Sequence, residues 1–425
     1  MKHTHFAVLM ALTLIAGCTP TSNTTPQVVS VTPTPQVVMT TATPWLVTAT
    51  SEPTVTATVT STPTNTPIQT ATATPQPPTL RDLAARIKVN GQPFEIGTTV
   101  DYGDREHTNP LYLQTASDEF NVLVPAAAFR DPYIDKYNAP RYWTDFAQQN
   151  KMTLRIQQLF WQNDVPASLD NASKEQVRAY MEERIRKLLP YVSKTIPSEI
   201  VLANEPFWEY QGKRGWQGEY GGNPLYKAFG EGWITEGYVL LYQIAQKEFN
   251  LTPGKDFKII GIIERGIDSP GARTDWVIQQ VKKIKQDIST RLGIPYQQIP
   301  FDLGSEFHVG DAYKDRDITI PFSKINKEVF KQTFIRISEE TGCRMHASDI
   351  TELTMFTGNE NAVAESYKAI LEAAIESGVV YSADFWANLS FAPDSPWQND
   401  LILPGYKKGI VYKAVWDTLS KYASK

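Results

Sequence analysis

From about residue 80 onward, short apolar runs alternate with longer stretches in which apolar and charged positions recur at helical spacing. The short runs fall at 94–100, 119–124, 152–161, 199–203, 257–263, 299–307, 345–353 and 379–386. Blocks of this length, rich in Ile, Val, Leu and Phe with little polar alternation, read as strands buried on both faces of a parallel sheet. The segments 174–192 and 326–341 repeat apolar residues three and four apart with charges between, as helices packed by one stripe do. Eight strand-and-helix units predict the α/β class and a (β/α)8 TIM barrel, whose functional groups stand at the C-terminal ends of the strands.

The first 79 residues obey neither pattern. Lys2 precedes an apolar stretch over 6–16 that runs into Ile15, Ala16, Gly17 and Cys18. This reads as a signal peptide over 1–17, too short to span a membrane as a mature helix. Small residues directly before a cysteine resemble the bacterial lipobox, which implies lipidation of Cys18 and a membrane anchor. From 18 to 79 the chain is almost all Thr, Pro, Ser, Val, Ala and Gln, with Glu52 as its one charged residue. Such a segment cannot bury a core and is expected to be a disordered Thr/Pro-rich stalk, kept extended by proline. The product is therefore expected at the cell surface, extracytoplasmic and anchored by its lipid.

The domain left, 80–425, is one barrel's worth of chain, roughly 345 residues. It contains one cysteine, Cys343, so no disulfide within the chain is possible and a large apolar core must hold the fold. A net charge of -5 with mixed signs offers no basic stripe for nucleic acid. His107, His308 and His346 lack metal-ligand spacing, and there is neither a His-Glu-x-x-His nor a Gly-x-Ser-x-Gly motif. No metal or cofactor is expected, and the domain is expected to act as a monomer.

The strand ends carry the chemistry. The fourth predicted strand runs into Asn204, Glu205 and Pro206, with Phe207, Trp208 and Tyr210 just beyond, and the seventh ends at Glu352. Two carboxylates on opposed strands of one barrel suit double-displacement glycoside hydrolysis, which needs one to attack the anomeric carbon and one to protonate the leaving oxygen, about 5 to 5.5 Å apart. Glu352 is the expected nucleophile and Glu205 the acid/base, with the Asn204 amide placed to bond a sugar 2-hydroxyl. Trp161, Trp208, Trp216, Trp386 and Trp397 fall at or just past strand ends, where indole faces can stack on sugar rings.

These residues resemble glycoside hydrolase family 10, the endo-β-1,4-xylanases, over about 80–419. The family's fourth strand ends in Asn-Glu, as at Asn204 and Glu205, and its seventh in Thr-Glu-Leu, as at Thr351, Glu352 and Leu353. Its sixth reads Gly-Ser-Gln-x-His, matched by Gly304, Ser305, Glu306, Phe307 and His308 with glutamate for glutamine. The resemblance implies that His308 supports the nucleophile, and Glu306 adds a third carboxylate that disfavours ionisation of its neighbours. It also implies that Trp386 underlies the reactive sugar, while Ser395, Pro396 and Trp397 match a substrate-closing loop.

The departures are concentrated in substrate contacts. On the second strand Phe120, Asn121 and Pro125 fit, but the family's glutamate, asparagine and lysine become Ala126, Ala127 and Arg130. On the third, Arg155, Leu159, Trp161 and Pro166 fit, while two histidines become Gln157 and Gln162. The fifth strand has Ile262, Ile263, Glu264 and Arg265 in place of Asn-Asp-Tyr. The expected partner is a polysaccharide, xylan or a related β-1,4-glycan cleaved internally. A different β-glycan, or a weakly active glycan-binding surface protein on the same barrel, stands as the alternative.

Overall fold

A computed structural model describes residues 76–424 apart from 101–108, 132–133, 135–137, 162–163, 208, 211–212, 215–222, 312–318, 353–358, 387–400 and 404–405. The expected signal peptide, Cys18 and the stalk lie outside the described residues. The described residues hold eight parallel strands that close on themselves: β1 (Glu95–Val100), β2 (Val122–Pro125), β3 (Thr153–Ile156), β4 (Ser198–Asn204), β5 (Lys258–Arg265), β6 (Asp302–Val309), β7 (Met345–Glu352) and β8 (Val380–Phe385). Each pairs with the next, and β8 returns to β1 through Phe385 opposite Thr98. Every residue of β4 is buried, because helices cover the outside and side chains fill the inside.

The helices that follow are α1 (Pro110–Glu119), α2 (Ala139–Gln149), α3 (Lys174–Leu188), α4 (Trp233–Phe249), α5 (Ala272–Leu292), α6 (Lys327–Thr341), α7 (Glu360–Ser377) and α8 (Ile410–Ala423). Their starts are written locally: Ser173 forms a capping box with Gln176 at α3, and Asn326 accepts from the Val329 N–H at α6. Gly293, Gly342 and Gly378 close α5, α6 and α7 in the left-handed conformation.

The barrel matches the expected class, with shifted ends. Glu119 closes α1 instead of opening β2, because its buried carboxylate accepts from the Leu80 N–H at 3.0 Å and the Tyr412 hydroxyl at 2.8 Å. The third run divides into β3 and a short piece, Phe160–Trp161, which pairs alongside Ala203 and Asn204 of β4. In β5 the register slips at Gly261, where a Cβ would lie 2.1 Å from the Phe301 ring, so only glycine fits.

The N-terminal ends of the strands carry a buried ionic layer. Arg155, fully buried, donates to Glu199 at 2.8 Å and Ser382 at 2.8 Å and pairs with Asp384. Lys258 reaches Glu199 at 3.1 Å, and the His346 ring lies 2.7 Å from Ser382 Oγ and 3.3 Å from Asp302. Arginine suits this position because its fork spans several acceptors at once.

Candidate active site

At the other end of the barrel, β4 delivers Asn204 and then Glu205, whose backbone takes the left-handed region (φ 46°) while its N–H donates to Ile263 O at 2.8 Å. A non-glycine residue held there is strained and must be fixed by its surroundings. Trp161 Nε1 donates to Glu205 Oε2 at 3.2 Å, and the Arg265 guanidinium pairs with the same carboxylate. Arg265 also donates through Nε to Glu306 Oε2 at 2.9 Å, so one cation bridges the ends of β4 and β6. Its neighbour Glu264 accepts from the Phe207 N–H at 2.6 Å and from Arg273 at 2.8 Å, fixing the turn that follows Glu205.

On the far side, β7 contains an irregularity: Glu306 pairs with Ser348, yet His308 pairs with Thr351 and Val309 with Glu352. Two steps along β6 thus oppose three along β7, a bulge at Asp349, whose φ is 49°. The extra residue lets Asp349 stand beside Glu306 although Glu352, three positions on, also reaches the rim. Glu352 is 7% exposed and Glu205 2%, so both carboxylates are shielded from bulk water.

Burial dominates the electrostatics. It pushes the Glu306 carboxyl up against the opposing pull of Arg265, and it pushes Asp349 well up, with Glu306 and Asp384 adding like-charge repulsion. The same desolvation, aided by Arg265, drives His308 well below the ordinary imidazole value, so its ring is neutral. Glu264, fully buried, is pushed up to about 7 by desolvation despite Arg273.

The structure gathers most of the residues singled out by sequence. Glu205, Asn204 and Trp161 meet at the end of β4, and Glu306, His308 and Glu352 at the ends of β6 and β7. His308 Nε2 lies 3.7 Å from Glu306. Gln157 is 1% exposed and donates to Asp349 at 3.4 Å. Arg130 is held by Asp164 at 2.6 Å and lies over the Trp161 ring at 4.6 Å. Trp386 is half-buried, its backbone N–H donating to Ile350 O at 3.1 Å. Trp208, Trp216, Trp397, Leu353 and the Tyr210 side chain lie outside the described residues. Sequence reasoning passed over Asp349 and gave Arg265 no partner. Beside the rim a cavity of about 490 Å³ opens between the loops after β5 and β6, lined in part by Arg265, Asp268, Glu306, His308, Ile320 and Lys324.

A closed parallel barrel with acidic groups and tryptophan gathered at the C-terminal ends of its strands has the architecture of a barrel glycosidase. The sequence model of glycosyl hydrolase family 10 matches residues 83–414, and the chain belongs to that family. It is a glycoside hydrolase. Among solved structures, xylanase 10B from Thermotoga petrophila RKU-1 in complex with xylobiose is similar at a TM-score of 0.62 and 18% identity, covering 82% of this chain and 99% of that one. The Penicillium canescens endo-1,4-β-xylanase XylE is similar at 0.60 and 17%, covering 81% and 98%. A thermostable mutant of the Cellvibrio japonicus xylanase Xyn10A is similar at 0.55 and 15%, covering 77% and 98%. No curated protein matches by sequence.

Proposed function

We propose that this chain is a retaining endo-β-1,4-glycanase of the xylan-cleaving kind, displayed at the bacterial cell surface on a lipidated Cys18 and its stalk. The observation that carries the reading is the pair of buried glutamates at the C-terminal ends of β4 and β7 of one barrel, Glu205 just past β4 and Glu352 the last residue of β7. Glu352 attacks the anomeric carbon while Glu205 protonates the departing oxygen. Glu205 then draws a proton from water, which releases the sugar from Glu352. The Asn204 amide oxygen is buried without a partner among the described residues, which leaves it available to a sugar hydroxyl. Trp386 and Trp397 wall the reactive subsite, Trp208 and Tyr210 border the leaving group, and Gln157 and Arg130 act on the glycone side.

A changed glycan specificity is the second reading. Ala126 is 2% exposed and brings no polar group to the glycone side, and Arg130 is engaged by Asp164. A sugar hydroxyl that loses its partner there is discriminated against steeply. The test is hydrolysis of a panel of β-linked polysaccharides and aryl glycosides by residues 80–425, with Glu205→Ala and Glu352→Ala as controls. Cleavage of xylan lost in both variants supports the first reading. Cleavage of another glycan, again requiring both residues, supports the second, and binding without turnover on any member overturns the enzymatic assignment.

A further inference from the structure

Two departures from the family pattern meet in space. The sixth strand has Glu306 where the family has glutamine, and the fifth has Arg265 where the family motif is missing. The two are ion-paired at 2.9 Å, and the same guanidinium holds Glu205. We propose that Arg265 and Glu306 are one compensated change, in which Arg265 is a positioning residue that holds the Glu205 carboxylate and sets the pH above which proton delivery to the leaving group fails. The proposal rests on the reading of Glu205 as the acid/base.

The argument is one of charge and geometry. A cation touching a carboxylate favours its ionised form, whereas a second carboxylate nearby disfavours it. Arg265 is 17% exposed and Glu306 1%, so the pair acts where water screens weakly. Other charged and titratable groups described at this rim are Glu264 on β5 with Arg273 of α5 behind it, His308 on β6 beside Glu306, Asp349 and Glu352 on β7, and the Arg130–Asp164 pair behind Trp161, which itself donates to Glu205. Among these, Arg265 is the cation in direct contact with Glu205. Glu306 holds that cation by Nε, so Glu306 governs how the guanidinium is shared.

The test is the pH dependence of kcat/KM for wild type, Arg265→Met, Arg265→Lys, Glu306→Gln and the Arg265→Met/Glu306→Gln double variant. The probes are dinitrophenyl and phenyl β-glycosides of the sugar selected by the panel above. On the phenyl substrate, whose leaving group needs a proton, the basic limb reports the acid in the free enzyme. Arg265→Met moves that limb up by about 1 to 3 pH units, and Glu306→Gln moves it down. The double variant lies between them, and Arg265→Lys stays near wild type with reduced kcat, since it keeps the charge and loses the fork. An arginine that only supports the fold would lower kcat or thermal stability with the limb fixed, and that result would overturn the proposal. Glu205→Ala separates this failure from a failure of the underlying reading. An acid deletion spares the dinitrophenyl substrate, whose leaving group needs no proton, and loses the phenyl one. Equal loss on both, or no turnover on any sugar, would overturn the acid/base reading and the proposal with it.

Discussion

The barrel contains two buried layers of charge, one at each end of its strands, and they are built on opposite principles. Toward the N-terminal ends, Arg155, Glu199, Lys258, His346 and Asp302 partner one another and Arg155 reaches up to Asp384 near the end of β8, and none has an orphaned polar atom among the described residues. At the C-terminal ends, Gln157 Oε1, Asn204 Oδ1 and His308 Nδ1 are buried with no protein partner among the described residues, and Glu205 and Asp349 are held at positive φ. A fully satisfied network rigidifies, whereas a buried polar group without a partner is costly unless a ligand completes it. One layer therefore serves the fold and the other serves the sugar. Asp384 couples them, pairing with Arg155 below and accepting the Asp349 N–H at 3.1 Å above.

The largest expected effect comes from the upper layer. Glu352→Gln lowers turnover by about 10⁴-fold or more, the scale of removing a covalent nucleophile. Its denaturant midpoint stays near wild type, because glutamine keeps the side chain's volume and much of its hydrogen-bonding capacity. Loss of stability together with activity would show that Glu352 belongs to the structural layer. Arg155→Met makes the converse case: Asp384 remains buried without its cation and Glu199 keeps only Lys258, at a loss of about 3 to 5 kcal/mol in urea unfolding. Wild-type stability in that variant would dissolve the distinction between the layers.

The two layers also titrate in opposite directions. Arg155, Lys258 and His346 hold the Glu199 carboxyl far below the usual range despite its burial. Its contribution is present above the ordinary glutamate value and is lost as pH falls below it. Glu264, raised from 4.5 to about 7, binds its proton more tightly folded than unfolded. Its contribution is full below about pH 4.5 and declines as pH rises toward 7. Glu264→Gln should remove a decline of about 1 to 3 kcal/mol across that window, measured as unfolding free energy against pH. A slope equal to wild type would mean that the carboxylate is ionised throughout.

The barrel was legible because it follows simple periods, whereas the ionic layer inside it was not, since its partners come from strands far apart in the chain. Eight apolar runs locate the strands, and the helices carry their caps in sequence, as at Ser173 and Asn326. The rim was legible only in part. Glu205 and Glu352 stand out by position, but strict alternation from Glu352 assigns Asp349 to the opposite face, and only the bulge in β7 returns it to the site. The Arg265 bridge was hidden for a different reason. Its partners lie 60 and 41 residues away, on β4 and β6, and nothing local in Glu264–Arg265 names them. Glu119 was misassigned because a contact with Leu80 and Tyr412, far off in the chain, decides its role.

The smallest effect sharpens the comparison by showing what an ion pair contributes outside both layers. Lys327 of α6 meets Glu376 of α7 at 3.0 Å, with side chains 34% and 26% exposed. Water screens the attraction, and Glu376 keeps the Tyr422 hydroxyl and Lys331 at 3.9 Å when Lys327 is removed. Lys327→Ala therefore leaves no buried orphan, unlike Arg155→Met, and should change unfolding free energy by less than about 1 kcal/mol. That difference should shrink further in 1 M salt, where the screening length is about 3 Å. A loss as large as that of Arg155→Met would mean that the number of ion pairs, and not their burial, decides the stability of this barrel.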